Sequence, residues 1–134
     1  MKRIVHAVIT TPCHENFFVQ QKDDDHPVEE YRAGYTLFGG EIEGKEEPVF
    51  AIRREIEEEL PFFRNFTYEP QFLGVSTLPT QQTFTFSITL SDEEFQELVR
   101  GKVLEGFGVS LKKNDFENLD WLPGAKESIQ LFLK

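Results

Sequence analysis

The sequence predicts an α/β domain, and three observations carry that prediction. Residues 83–90 alternate strictly, with Phe84, Phe86, Ile88 and Leu90 set against Thr83, Thr85, Ser87 and Thr89, which is the pattern of a strand with one buried and one polar face. Val49, Ile52, Ile56 and Leu60 recur instead at helical spacing, through and just past 48–59. Ser91 followed by Glu94, ahead of Phe95, Leu98 and Val99, is the capping-box pattern that opens a second helix ending at Gly101. At 134 residues the chain has the length of one ordinary domain, so 1–134 is read as a single unit.

The remaining elements follow in order. Residues 4–10 and 17–21 read as two strands, separated at Pro12, which cannot donate to a ladder. Lys22-Asp23-Asp24-Asp25-His26-Pro27 is an exposed loop, better read so than as a calcium site. A short apolar piece from Tyr35 to Phe38 leads to a turn at Gly39-Gly40, and Pro48 suits the first turn of the helix that runs to about Glu59. Pro61 stops that helix, leaving Phe62-Phe63 in a connecting segment. A strand over 68–76, a weaker one over 103–111 and a terminal helix over 126–133 complete the chain, with no internal repeat.

Composition excludes several classes of function. Hydrophobic residues are 39% and charged residues 28%, no apolar run is long enough for a bilayer span, and the apolar run after Met1-Lys2-Arg3 fits a first strand better than a signal peptide. With 24 acidic against 14 basic residues the net charge is -10, so a nucleic-acid polymer is not the expected partner. A small phosphorylated substrate fits if a divalent cation bridges its phosphates to carboxylates. The lone Cys13 gives no disulfide framework and suits a reducing compartment, so a cytoplasmic location is expected, and a homodimer is kept open.

The informative stretch runs from Gly39 to Glu59. On a helix, Glu55, Glu58 and Glu59 stand at i, i+3 and i+4 and share one face beside the apolar stripe, while Glu57 points elsewhere, toward solvent. Packing that stripe on a sheet crowds three carboxylates at the rim of the core, where they repel one another without a cation. Oxygen ligands of this kind suit Mg²⁺ or Mn²⁺, which polarise phosphoryl groups and activate water. A glutamate-rich helix face is ordinarily only solvated, so the complete spacing has to carry the reading.

That spacing is Gly40, five residues, Glu46, seven residues, Arg54-Glu55-Ile56, one residue, Glu58-Glu59, and it resembles the signature of the Nudix family. Pro61 stands where the signature has its final glycine, and Phe38 replaces the usual proline before the two glycines. Phe17 to Gln21, Gly34-Tyr35-Thr36-Leu37 and Asp120-Trp121-Leu122 are similar to other parts of the family pattern. The resemblance implies the Nudix fold, an α/β/α sandwich around a mixed sheet. It further implies a Mg²⁺-dependent hydrolase that cleaves the diphosphate of a nucleoside diphosphate linked to another moiety, such as a nucleoside triphosphate, a nucleotide sugar or a compound of the ADP-ribose type. On the same resemblance Glu55, Glu58 and Glu59 bind metal, the Gly39 carbonyl adds a ligand, and Arg54 and Glu46 orient the carboxylates.

Weaker signals are set beside their plainer readings. A fourth acid often precedes the late tryptophan in this family, which nominates Asp115 or Glu117 against the alternative of a solvated acidic loop. Tyr35 or Tyr31 offers a stacking face for a nucleobase, although most aromatic residues belong to the core. Pro79 looks loosely like a mark of the ADP-ribose subgroup but is equally an edge or turn proline, and Cys13-His14 lacks partners for zinc. Two rivals to the enzyme stand: a catalytically silent nucleotide or metabolite sensor on the same scaffold, and a purely structural acidic domain.

Overall fold

Strand β1 (Lys2–Thr10) is the spine of the molecule, and the computed structural model describes all residues from Met1 to Lys134 around it. It runs parallel to β6 (Gln81–Thr89), and β5 (Gln71–Leu78) pairs antiparallel to β6 at the edge. On its other side β1 divides: Ile9 and Thr10 pair with β2 (Asn16–Gln21), while Ile4 to Ala7 pair with β4 (Phe38–Glu41). The two-residue β3 (Tyr35–Thr36) and β7 (Phe107–Lys112) each pair antiparallel with β2, which completes a mixed seven-stranded sheet. The split of β1 between two partners opens a cleft between β2 and β4.

Because side chains alternate across a strand, β1 sends Val5, Ala7 and Ile9 to one face and His6 and Val8 to the other. The first face is covered by α1 (Pro48–Glu59) and α2 (Asp92–Arg100), whose Ile52, Ile56, Phe95 and Leu98 are fully buried there. Phe18 and Phe38 stack at 5.5 Å and Phe95 meets Phe18 edge-on at 6.4 Å. Burying each such ring stabilises the fold by about 1.5–3 kcal/mol. The second face carries α3 (Ala125–Leu133), whose Ile129 packs into a cluster with Phe17, Val19, Leu111 and Phe116. The α/β/α sandwich expected from the sequence is therefore observed.

Four local expectations change. Gly39-Gly40 lies in a strand rather than a turn, because β4 pairs with β1 through both glycines. Residues 61–65 form a 3₁₀ turn with Phe63 buried, instead of an open connection. The late strand begins at Phe107, not at Val103, since the segment before it is tied elsewhere, with Leu104 N–H donating to the Glu59 carbonyl at 2.9 Å. Finally, the polar face of β6 is buried as thoroughly as the apolar one, because α3 lies over Thr83, Thr85 and Ser87. The capping box of α2 forms as expected, with Ser91 N–H donating to Glu94 and Glu94 N–H donating to Ser91 Oγ.

Candidate active site

The site is assembled where the carboxyl-terminal half of α1 crosses β4. A Cβ on Gly39, whose φ is +151°, would fall 1.9 Å from the Val5 carbonyl oxygen, so only glycine lets β4 approach β1 here. A Cβ on Gly40 would lie 2.5 Å from the carboxyl carbon of Glu55. The space left by that missing side chain is the space in which the Glu55 carboxylate rests.

Arg54 gathers the acids around it. Its Nε and Nη2 donate to the two oxygens of Glu46, each at 2.9 Å, in a bidentate fork, and Nη1 donates to Glu55 Oε1 at 2.9 Å. Nη1 also lies 3.5 Å from Glu43 and 3.6 Å from Glu58. The hydrogen bond from Arg54 holds the Glu46 carboxyl below its ordinary range, and the same bonds raise the guanidinium further above its own. Glu55, beside the same arginine, is nevertheless shifted upward, because desolvation outweighs the attraction.

Glu59 has no cation in contact. It is 5% exposed; Oε1 accepts from Gln20 Nε2 and Oε2 from the Gly39 N–H, both at 3.3 Å. Burial, followed by the neighbouring charges of Glu105 and Glu55, pushes its carboxyl up to about 8. Glu58 differs from both, since its side chain is 60% exposed. These acids also occupy the last turn of α1, at the negative end of the helix dipole, with no basic residue in that turn.

Glu105 is the residue that sequence reasoning missed. Gln20 donates through one nitrogen both to Glu59 and, at 2.8 Å, to the Glu105 carbonyl, and with the Leu104 bond this fixes the loop before β7 against the end of α1. Its only sequence signal is an acid just before Gly106, whose φ of +66° marks the sharp turn into β7. Asp115 and Glu117 are not brought to the cluster. Asp115 accepts from the Lys112 N–H, and Lys112 pairs with Asn16, four residues along β2 from Gln20, which is about 13 Å of strand. Glu117 lines a separate cavity of about 550 Å³ between Phe116, Trp121 and α3. Tyr35 packs on Trp121, with ring centroids 6.1 Å apart, instead of facing the carboxylates.

A cavity of about 240 Å³ opens beside the cluster and shares Gly39, Gly40 and Gln20 with it. Lys2, Lys22 and Tyr31 also line it, so the aromatic side chain at this cavity is Tyr31 and not Tyr35. Glu57 is half-buried and not solvent-facing as expected, because its carboxylate accepts from Tyr68 Oη at 2.8 Å, on a different side of α1 from Glu59.

The architecture is shared with known structures. A MutT structure from work on Aliivibrio salmonicida and Vibrio cholerae superposes with a TM-score of 0.71 at 20% identity, covering 98% of this chain and 97% of that one. A MutT/Nudix family protein from Listeria innocua gives a TM-score of 0.70 at 12% identity, with 98% and 89% covered. The C-terminal domain of mouse MUTYH, solved in complex with human PCNA, gives 0.69 at 11% identity, with 99% and 88% covered. No protein-family model matches the chain, and no curated protein matches it significantly. The fold is that of the Nudix proteins, as the spacing between Gly40 and Glu59 implied. No helix is long and apolar enough to cross a membrane.

Proposed function

We propose that the protein is a divalent-cation-dependent hydrolase of diphosphate bonds, acting on a nucleoside diphosphate linked to a further group. The observation that carries this reading is the buried carboxyl group of Glu59, with no cation in contact, set near Glu55 and Glu105 and beside a lysine-bearing cavity that shares Gly39, Gly40 and Gln20 with the cluster. The donor set is all hard oxygen, which fits Mg²⁺ or Mn²⁺ keeping several waters and needing one or two direct carboxylates. Glu59 and Glu55 would hold it, with Glu58 turning in from solvent, the Gly39 carbonyl as a further ligand and Glu105 as the distal acid in place of Asp115 and Glu117. When bound, the cation neutralises charge developing on the diphosphate.

The chain's own groups account for the rest. Arg54 and Glu46 hold the Glu55 carboxylate over Gly40, Gln20 fixes both Glu59 and the Glu105 loop, and Lys22 offers a phosphate partner from the cavity wall. Glu105, on a loop and without the constraint of a helix, is the acid suited to take a proton from the attacking water.

The rival reading is a nucleotide sensor on the same scaffold, which binds its ligand without cleaving it. Chromatographic detection of nucleoside monophosphate and the second phosphorylated product from a panel of nucleoside triphosphates and nucleotide sugars, with and without Mg²⁺, separates the two. The enzyme hydrolyses at least one of them only with the cation. A protein that binds members of the panel and cleaves none of them is the sensor.

A further inference from the structure

His6 is buried, and the proposed hydrolysis gives it no task. Its ring lies on the α3 side of β1, 6% exposed, and it lines the 240 Å³ cavity. Nδ1 is 3.0 Å from Ser128 Oγ, which in turn accepts from Thr85 Oγ1 at 2.8 Å. All three residues are buried, so bulk water does not compete for these bonds. A hydroxyl has one proton. Thr85 donates its own to Ser128, and the Ser128 proton is left with the lone pair of Nδ1 as its partner. A neutral imidazole whose Nδ1 accepts carries its proton on Nε2. Nε2 makes no hydrogen bond to the protein, yet the only sealed side-chain atom without a partner is Ser76 Oγ, so Nε2 is open to the cavity.

We infer that His6 reads the substrate: its Nε2–H is a fixed hydrogen-bond donor matched to a carbonyl oxygen on the ring of a single nucleobase. The inference rests on the nucleotide part of the proposed function and names which bases it favours. The volume supports one ring system, since it falls below the roughly 300–1,000 Å³ of sites that enclose drug-sized ligands. Ile4, Leu37 and Leu122 give the cavity apolar walls, and Tyr31 adds an aromatic ring. A base seated there would direct its phosphates along Gly39 and Gly40 to the carboxylates. The discrimination follows from the tautomer. A donor that cannot accept meets a ring oxygen favourably, whereas an exocyclic amino group at the same place sets donor against donor and leaves both unpaired.

The test uses α,β-methylene nucleoside diphosphates, which bind without being cleaved at the bridge, with Mg²⁺ in calorimetry. Inosine is compared with adenosine and uridine with cytidine, pairs in which a ring carbonyl is exchanged for an amino group. The carbonyl member binds about ten- to a hundredfold more tightly, the usual worth of one buried donor kept paired. Ser128→Ala frees the ring to exchange tautomers and narrows that gap to below about threefold while binding persists. Nitrogen-resolved NMR of the unliganded wild type at neutral pH shows the proton on Nε2, so the inference stays testable even if the variant does not fold. A proton on Nδ1, equal affinity within both pairs, or no binding of any of the four overturns it. Carbonyl-selective binding with no hydrolysis of the parent nucleotides keeps this inference and removes the hydrolase. Hydrolysis with no preference within the pairs does the reverse.

Discussion

The two faces of the sheet bury polar groups by opposite means. Under α3, two hydrogen bonds join neutral His6, Ser128 and Thr85, leaving only Nε2 of His6 without a protein partner. Under α1, the groups are acids: Arg54 hydrogen-bonds Glu46 and Glu55 and lies near Glu43 and Glu58, leaving Glu59 with an amide and a backbone N–H. A neutral network whose buried bonds close within the protein stabilises it. A buried acid cluster is incomplete, because desolvation and like charge oppose its ionised form until a cation arrives. The stability of one face is therefore set by the chain, and that of the other by what is dissolved around it.

The largest effect that could break this contrast is Glu59→Gln. The variant keeps size and one acceptor while removing a charge, so hydrolysis falls by about a hundred- to a thousandfold, equivalent to roughly 2.7–4 kcal/mol of lost transition-state stabilisation. In chelator its melting temperature equals or exceeds that of the wild type, and the upward shift produced by Mg²⁺ shrinks. Nucleoside monophosphate formation and paired thermal melts measure both halves. Unfolding of the variant in chelator would make Glu59 a structural residue and erase the distinction between the faces.

The second effect concerns pH. Burial, aided by the charge of Lys22, pushes the His6 imidazole down to about 4 from its usual 6.5. Between those values the unfolded chain binds a proton that the folded one does not, so stability is full above about pH 6.5 and falls as pH drops toward 4. The loss attached to His6 is about 3 kcal/mol at 1.36 kcal/mol per pKa step. Glu59, with its raised carboxyl, acts in the opposite sense, losing stability as pH rises from the ordinary glutamate range toward 8. The difference between wild type and His6→Gln isolates the first contribution: urea melts across this range show a steeper acid loss in the wild type. Parallel curves would mean that His6 takes up its proton over the same pH range in the folded and the unfolded chain.

A smaller effect comes from the same face. Thr85→Val removes the hydroxyl that donates to Ser128, and the lost buried bond costs about 1–2 kcal/mol, read as a lower urea midpoint at unchanged slope. Hydrolysis persists, because no carboxylate is touched.

Much of this architecture was legible because it rests on local pattern. The stripe of Ile52 and Ile56 fixed the buried side of α1 and with it the common side of Glu55 and Glu59, while Ser91 and Glu94 fixed the start of α2. What stayed hidden depends on pairing across the chain. Alternation showed that Thr83, Thr85 and Ser87 face away from Phe86, but not that α3 covers them, since polar residues on a strand read alike in water and against a neutral seam. Glycine pairs suggest turns, and only the register of β4 against β1 shows Gly39 and Gly40 making room for Val5 and Glu55. Glu105 was invisible for a third reason: its place is set by Gln20, 85 positions away in sequence. The departures at Pro61 and Phe38 leave the carboxylate spacing intact while changing the ends of the motif, where α1 now gives way to a 3₁₀ turn.

The smallest effect tests the helix face itself. Glu57 shares α1 with the acid cluster, yet its carboxylate accepts from Tyr68 Oη at 2.8 Å, and Arg53 lies 5.0 Å above the Tyr68 ring. Burial first and the Glu57 carboxylate second raise the Tyr68 phenol above its ordinary range. In Glu57→Gln the amide oxygen still accepts, but a bond to a neutral acceptor is weaker than one to a charged acceptor, so stability falls by less than about 1 kcal/mol. The tyrosine then ionises at lower pH, since the negative charge is gone while burial and a weaker hydrogen bond remain, and ultraviolet titration of tyrosinate follows that change. Hydrolysis stays within about twofold of wild type, because the Glu57 carboxylate is engaged with Tyr68 and not with the acid cluster. A tenfold loss of activity in Glu57→Gln would place the metal-binding face on the Tyr68 side of α1, and the contrast between a face completed by the chain and one completed by a cation would have to be redrawn around Glu57.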